Sequence, residues 1–121
     1  MHELSVCLSL LDQVQAIARE HGATGVSRIL LRVGPLSGVE PPLLESAYPM
    51  AAAGTVAEQA DLEIEEAPVR VRCRDCGAQT PAAPNRLLCG ECGGYRTELL
   101  SGDEMLLAKV ELVLPEEQTA G

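Results

Sequence analysis

The sequence has no phenylalanine and no tryptophan, and its only aromatic residues are Tyr48 and Tyr95. A core without large rings must be built from Leu, Val, Ile and Ala. In a chain of 121 residues such a core is thin, and a bound metal would add usefully to it. The near absence of aromatics also removes the stacking platforms used by readers of single-stranded nucleic acid. Basic residues are scarce too: nine Lys and Arg face eighteen Asp and Glu, a formal charge of −9. That sign repels phosphate backbones and anionic lipid, so neither nucleic acid nor membrane is expected as a partner. No apolar run approaches a membrane span, and His2 and Glu3 stand where a signal peptide would carry its basic segment. The expected location is the cytoplasm.

Against these absences stand five cysteines, four of them in two close pairs. In a reducing compartment metal binding outranks disulfides. "CRDCG" at Cys73 and Cys76 and "CGECG" at Cys89 and Cys92 give C-x2-C, twelve intervening residues, then C-x2-C. Two-residue spacing lets both sulfurs of a pair reach one ion, and Gly77 and Gly93 free the backbone to turn amides toward the thiolates. A redox pair would open a helix after a strand, whereas both pairs here lie in glycine-rich turns and come as a matched set. Four sulfurs close the coordination sphere, so the site is expected to be structural. Zinc is preferred, although the ligand set alone also suits iron. The fifth cysteine, Cys7, falls on an apolar helical stripe and reads as a small buried hydrophobe.

Around this module the periodicity predicts one α+β domain. Leu4, Cys7, Leu8, Leu11, Val14 and Ala18 recur at helical spacing from Glu3 to His21, and Gly22 stops the helix. "SRILLRVG" sets Ile29, Leu31 and Val33 against Arg28, Leu30 and Arg32 as a half-buried strand. A second helix begins at Pro41 and Pro42 and ends by Gly54, with Pro49 expected to kink or shorten it. "DLEIEEA" reads as a strand with Leu62 and Ile64 inward, and "EMLLAKVELVL" as a long strand returning to the same sheet. The expected architecture is a small mixed sheet of about three strands packed by two helices, with an inserted zinc-ribbon-like module. Its boundaries are 1–68 for the first part of the αβ domain, 69–98 for the module, 99–114 for the returning strand and 115–121 for a disordered tail.

The opening "MHEL" carries the second chemistry. A bulky second residue predicts that Met1 is retained with its free amine. That amine, the His2 amide nitrogen and the His2 imidazole then form fused chelate rings around one ion, a nitrogen-rich set suited to Ni(II) or Cu(II). Glu3 can supply a further position, as can Glu40, which stands at the head of the second helix, where an anionic side chain is also favoured for capping. A solvated terminus is the plain alternative. His21, in the last turn before Gly22, reads as a donor to helix carbonyls.

"MHELS", "GPLSGVEPPLLESAY", "AEQADLEIEE" and the two cysteine knuckles together resemble the HypA/HybF hydrogenase maturation proteins, from residue 1 to about residue 114. The resemblance implies a nickel metallochaperone that helps insert Ni(II) into the large subunit of [NiFe]-hydrogenase and in some organisms supports urease and its maturation proteins. It assigns nickel to the Met1 amine, His2 and the neighbourhood of Glu3, and structural zinc to Cys73, Cys76, Cys89 and Cys92. It also implies a HypB-type GTPase as partner. Some members carry, where this chain has Glu40, an aspartate implicated in the nickel site. Two rival readings are an enzyme, which lacks a positioned general base, and a zinc-ribbon adaptor, whose nucleic-acid version the −9 charge opposes.

Overall fold

The computed structural model describes residues 2–115, and for His2 the backbone alone. Met1 and most of the expected tail therefore lie outside the described residues. The order of elements is α1 (His2–Glu20), β1 (Gly25–Val33), α2 (Pro41–Ala52), β2 (Asp61–Glu66), β3 (Arg70–Cys73), β4 (Gln79–Pro81), β5 (Thr97–Ser101) and β6 (Met105–Val113). The protein is thus a mixed α+β molecule with two helices and two small sheets, ordered β2-β1-β6 and β4-β3-β5. The chain divides into two compact units. One comprises the residues up to Leu31, Glu40–Ile64 and the chain from Leu107, and the other Arg32–Val39 and Glu65–Leu106.

In the first unit α1 buries Cys7, Leu10, Leu11, Val14 and Ala18. At about 100° per residue these positions fall on one stripe, and Leu8 lies well off it. Leu8 is accordingly half exposed, and Leu10 takes the core position the sequence reading gave to Leu8. The helix closes as a Schellman turn: Ala23 N bonds Ala18 O and Gly22 N bonds Arg19 O, with Gly22 at φ 64°. His21 Nδ1 donates to Ile17 O at 2.9 Å, as expected of a residue in that turn.

α2 packs against α1 through Leu44, Tyr48 and Ala52, spaced one turn apart. Pro41 and Pro42 occupy its first turn. Pro49 does not end it: the helix runs on to Ala52. Pro49 is exposed, so its ring points to solvent and its missing amide costs one hydrogen bond instead of the helix.

β1 buries Val26, Ile29, Leu31 and Val33, alternating with polar or partly exposed positions. β2 runs parallel to it: Arg28 meets Glu63, Arg32 meets Glu65, and Ala67 N bonds Val33 O, so partners rise together. β6 runs antiparallel, with Thr24 N on Val113 O at one end and Gly34 N on Glu104 O at the other. The sheet is therefore mixed, with α2 as the crossover between its parallel pair and β6 as an edge without a fully buried residue.

The three short strands of the second sheet were not anticipated from the sequence. β3 pairs antiparallel with both neighbours, and Val71 stands opposite Thr80 on one side and Leu99 on the other. The core of this unit is small: Val33, Ala67, Val69 and Val71, with Cys73 and Cys89. At Gly34 the chains approach so closely that a Cβ would stand 2.0 Å from Gly102 O, which leaves room for glycine alone.

Candidate metal centre

The two knuckles are built alike. Gly77 N bonds Cys73 O and Cys73 N bonds Ala78 O; sixteen residues on, Gly93 N bonds Cys89 O and Cys89 N bonds Gly94 O. Gly77 and Gly93 sit at φ 77° and 74°, a left-handed conformation that lets each turn close beneath its sulfurs. Cys76 N lies 3.4 Å from Cys73 Sγ, while Cys89 Sγ receives Glu91 N at 3.3 Å and Cys92 N at 3.4 Å.

All four Sγ atoms lie within 4.8 Å of one another, with Cys73–Cys92 and Cys76–Cys89 at 3.6 Å. Four thiolates about 2.3 Å from a central zinc would have edges of about 3.8 Å, whereas a disulfide requires about 2.05 Å. The arrangement therefore fits a tetrahedral ion and not a disulfide pair. Cys73 and Cys89 are buried, and Cys76 and Cys92 face solvent.

Backbone amides set the thiol acidities. The Cys92 and then the Glu91 amide pull Cys89 down to about 6, and the Cys76 amide pulls Cys73 down. Their partners move the other way. Cys76, although the Ala78 amide stabilises its thiolate, is pushed up to about 12 by serving as the thiol in its bond to Cys89. Cys92 rises similarly against the Gly94 amide through its bond to Cys73. Backbone amides thus favour the thiolate at Cys73 and Cys89 more than at Cys76 and Cys92, and a bound dication would favour it at all four. A zinc held by Cys73, Cys76, Cys89 and Cys92 would supply a cross-link between the knuckles, with no open position for water.

Two threonines that spacing does not reveal brace the second knuckle. Thr80, buried on β4, accepts from Gly90 N through its hydroxyl at 2.8 Å, and Thr97 on β5 donates to Leu87 O at 2.8 Å. The one signal available was a polar residue at an inward position of a short strand.

The sulfurs are, among the described residues, the one group of three or more His, Cys, Asp or Glu side chains able to share an ion. Met1 and the His2 imidazole lie outside the described residues. Glu3 is 5% exposed on the inner stripe of α1, where its charge, after burial itself, helps raise the Cys7 thiol. It lines a recess of about 260 Å³ with Leu4, Leu43, Ser46 and Ala47. Glu40 is exposed at the head of α2 and is not part of that recess. Its carbonyl accepts from Leu43 N and Leu44 N, but its carboxylate makes no cap, which corrects the capping role considered for it. Cys7 is fully buried, with its Sγ 3.6 Å from Leu44 O.

A family described as "Hydrogenase/urease nickel incorporation, metallochaperone, hypA" matches residues 1–112. The chain belongs to the HypA family. It is 50% identical to the hydrogenase maturation factor HypA of Nitrosospira multiformis over 93% of this chain and 98% of that one. To the HypA of Aquifex aeolicus it is 41% identical over 93% and 97%. Among solved structures it is similar to the solution structure of the Ni metallochaperone HypA from Helicobacter pylori, at TM-score 0.70 and 26% identity over 93% and 98% of the two chains. A second HypA solution structure superposes at TM-score 0.73 with 27% identity, covering 95% and 98%. Membership in the HypA family gives the tetrathiolate its context: a structural zinc ribbon in a nickel-handling protein.

Proposed function

We propose that this chain carries Ni(II) at its amino terminus and delivers it during maturation of [NiFe]-hydrogenase. The cargo is held by the Met1 amine, the His2 amide and imidazole and Glu3, with Glu40 as a further carboxylate. The observation that carries the reading is family membership across residues 1–112, which begins at the Met-His-Glu stretch and includes all four cysteines. Two features of the molecule support it. Glu3 is fixed on the buried stripe of a long helix, so a ligand set anchored there is positioned from α1, and the Glu40 carboxylate is not occupied by capping. Nitrogen and carboxylate donors suit nickel, while the closed sulfur set suits zinc, so the two metals are sorted by ligand chemistry.

In this reading the protein is a carrier and not an enzyme. It works in the cytoplasm, where its thiols stay reduced, with a HypB-type GTPase and the hydrogenase large subunit as partners; urease maturation proteins are further recipients. Among the described residues no helix is long and apolar enough to cross a membrane. A cell producing His2→Ala in place of the parent should leave its hydrogenase large subunit unprocessed, and excess nickel in the medium should restore part of the processing. Normal processing in that strain would overturn the reading.

A further inference from the structure

Charge is unevenly distributed along the chain. Residues 69–98 contain Arg70, Arg72, Arg74, Arg86 and Arg96, five of the nine basic residues, but only Asp75, Glu91 and Glu98 of the eighteen acidic ones. The stretch is formally +2 and the remainder −11. Even with the −2 of a zinc tetrathiolate included, the ribbon is neutral beside a strongly acidic rest. Internal pairing uses part of this charge: Arg72 Nε bonds Glu98 at 2.8 Å, and Arg70 bonds the carbonyl of Gln79 at 3.3 Å. Arg96 meets Asp75 at 3.3 Å with both side chains about half exposed, a surface pair of little net worth that can be exchanged for another carboxylate. Arg74 and Arg86 are exposed, and among the described residues neither has a carboxylate in ion-pair range.

The backbone brings Arg74, Arg86 and Arg96 near the segment that carries an exposed ring. Arg74 N bonds Arg96 O, which sets Arg74 beside the Tyr95–Arg96 segment, and the Thr97 hydroxyl on Leu87 O brings the chain after Arg86 to the same strand. Tyr95 is 80% exposed, the most exposed large apolar side chain among the described residues. The chain's two aromatic residues have opposite settings: Tyr48 is buried and bonded to Ala57 O, and Tyr95 stands in solvent next to Arg96 in sequence. Exposed Tyr and Arg in one patch is the composition of a protein-binding surface.

We infer that the patch formed by Arg74, Arg86, Tyr95 and Arg96 on the zinc ribbon docks a carboxylate-rich segment of another protein. A short acidic segment engages Arg74, Arg86 and Arg96 directly through charge-assisted hydrogen bonds, which act at contact and not through the net charge of the ribbon. A nucleic acid carries a charge every few ångströms along its length and is opposed by the −9 of the chain as a whole. The inference does not depend on nickel.

The test uses the zinc-loaded full chain and two fluorescent peptides, octaglutamate and a variant with two central leucines. Both should bind, with amide shifts concentrated at Arg74, Arg86, Tyr95 and Arg96. Arg74→Glu should weaken both by about tenfold. Tyr95→Ala should weaken chiefly the leucine-containing peptide, and raised salt should weaken both. Zinc content, measured in each variant, should remain at one per chain, which separates lost docking from a lost fold. Absence of binding, binding indifferent to Arg74→Glu, or tighter binding of a single-stranded oligonucleotide of equal charge would overturn the inference. So would self-association that Arg74→Glu abolishes, which would make a second copy of the chain the occupant.

Discussion

The two units achieve order by different means. The first buries a stripe of α1, the inner face of β1 and one side of α2, and every buried side chain there except Glu3, Cys7 and Tyr48 is aliphatic. The second buries four aliphatic residues and two cysteines, and its strands are three to five residues long. One unit is held by area removed from water, while the other relies on four converging sulfurs to offset the entropy of ordering its loops. A chain without Phe or Trp can support one such core, and the metal takes the place of a second.

The largest expected effect breaks this comparison at its weaker side. Cys73→Ser should abolish the amide protection and dispersed NMR signals of residues 70–101 while the signals of α1, α2 and β1 persist, because the metal supplies most of the ribbon's folding free energy. An unchanged ribbon in that variant would mean its small core suffices. On the other side, Leu10→Ala should destabilise the first unit by about 2–5 kcal/mol in denaturant unfolding, with zinc content unchanged. A loss below 1 kcal/mol would show that the thin aliphatic core is not what holds that unit.

Acidification should separate the contributions in order. Nickel held by an imidazole and an amine with ordinary pKa values of about 6.5 and 8 should be lost first, as pH falls through neutrality. The thiolates of a zinc-loaded ribbon should release their ion at lower pH. Last should come the pairs on the sheet: Arg28 bonds both Glu63 and Glu111 and holds their carboxyls below the usual carboxylate range. A depressed folded-state pKa contributes stability that is full above the unfolded value and lost as pH falls through the folded one, so the first unit should begin to weaken only below about pH 4. Metal analysis and circular dichroism along one pH series would check the order, and simultaneous loss of nickel and zinc would argue against two sites.

How much of this was legible in the sequence differs between the units in the same way. α1, β1, α2, β2 and β6 follow from periodicity because each has enough length to repeat its pattern. Leu8 keeps helical spacing from Leu4 and Leu11 but falls outside the buried angle of α1, so Leu10 and not Leu8 reaches the core. Pro49 is exposed and lies inside α2, which continues for three residues beyond it to Ala52. β3, β4 and β5 escaped because strands of three to five residues interrupted by knuckles do not repeat a pattern, although Val69 and Val71 alternating with Arg70 and Arg72 were a partial signal. The cysteine site was fully legible, because a ligand set is written in spacing. Its bracing by Thr80 and Thr97 was not, because a tertiary hydrogen bond leaves no periodic trace.

In the proposed function two metals are sorted to two places, zinc to the four sulfurs and nickel to a chelate built on a free terminal amine. Calorimetric nickel titration of the zinc-loaded protein beginning at Met1, beside the same protein extended by Gly-Ser before Met1, tests it most directly. Extension leaves every side chain in place but converts the amine to an amide. The expected result is tight nickel binding in the first and its loss in the second, with one zinc per chain and the same fold in both. Full nickel affinity in the extended protein would contradict the account and move the nickel site elsewhere.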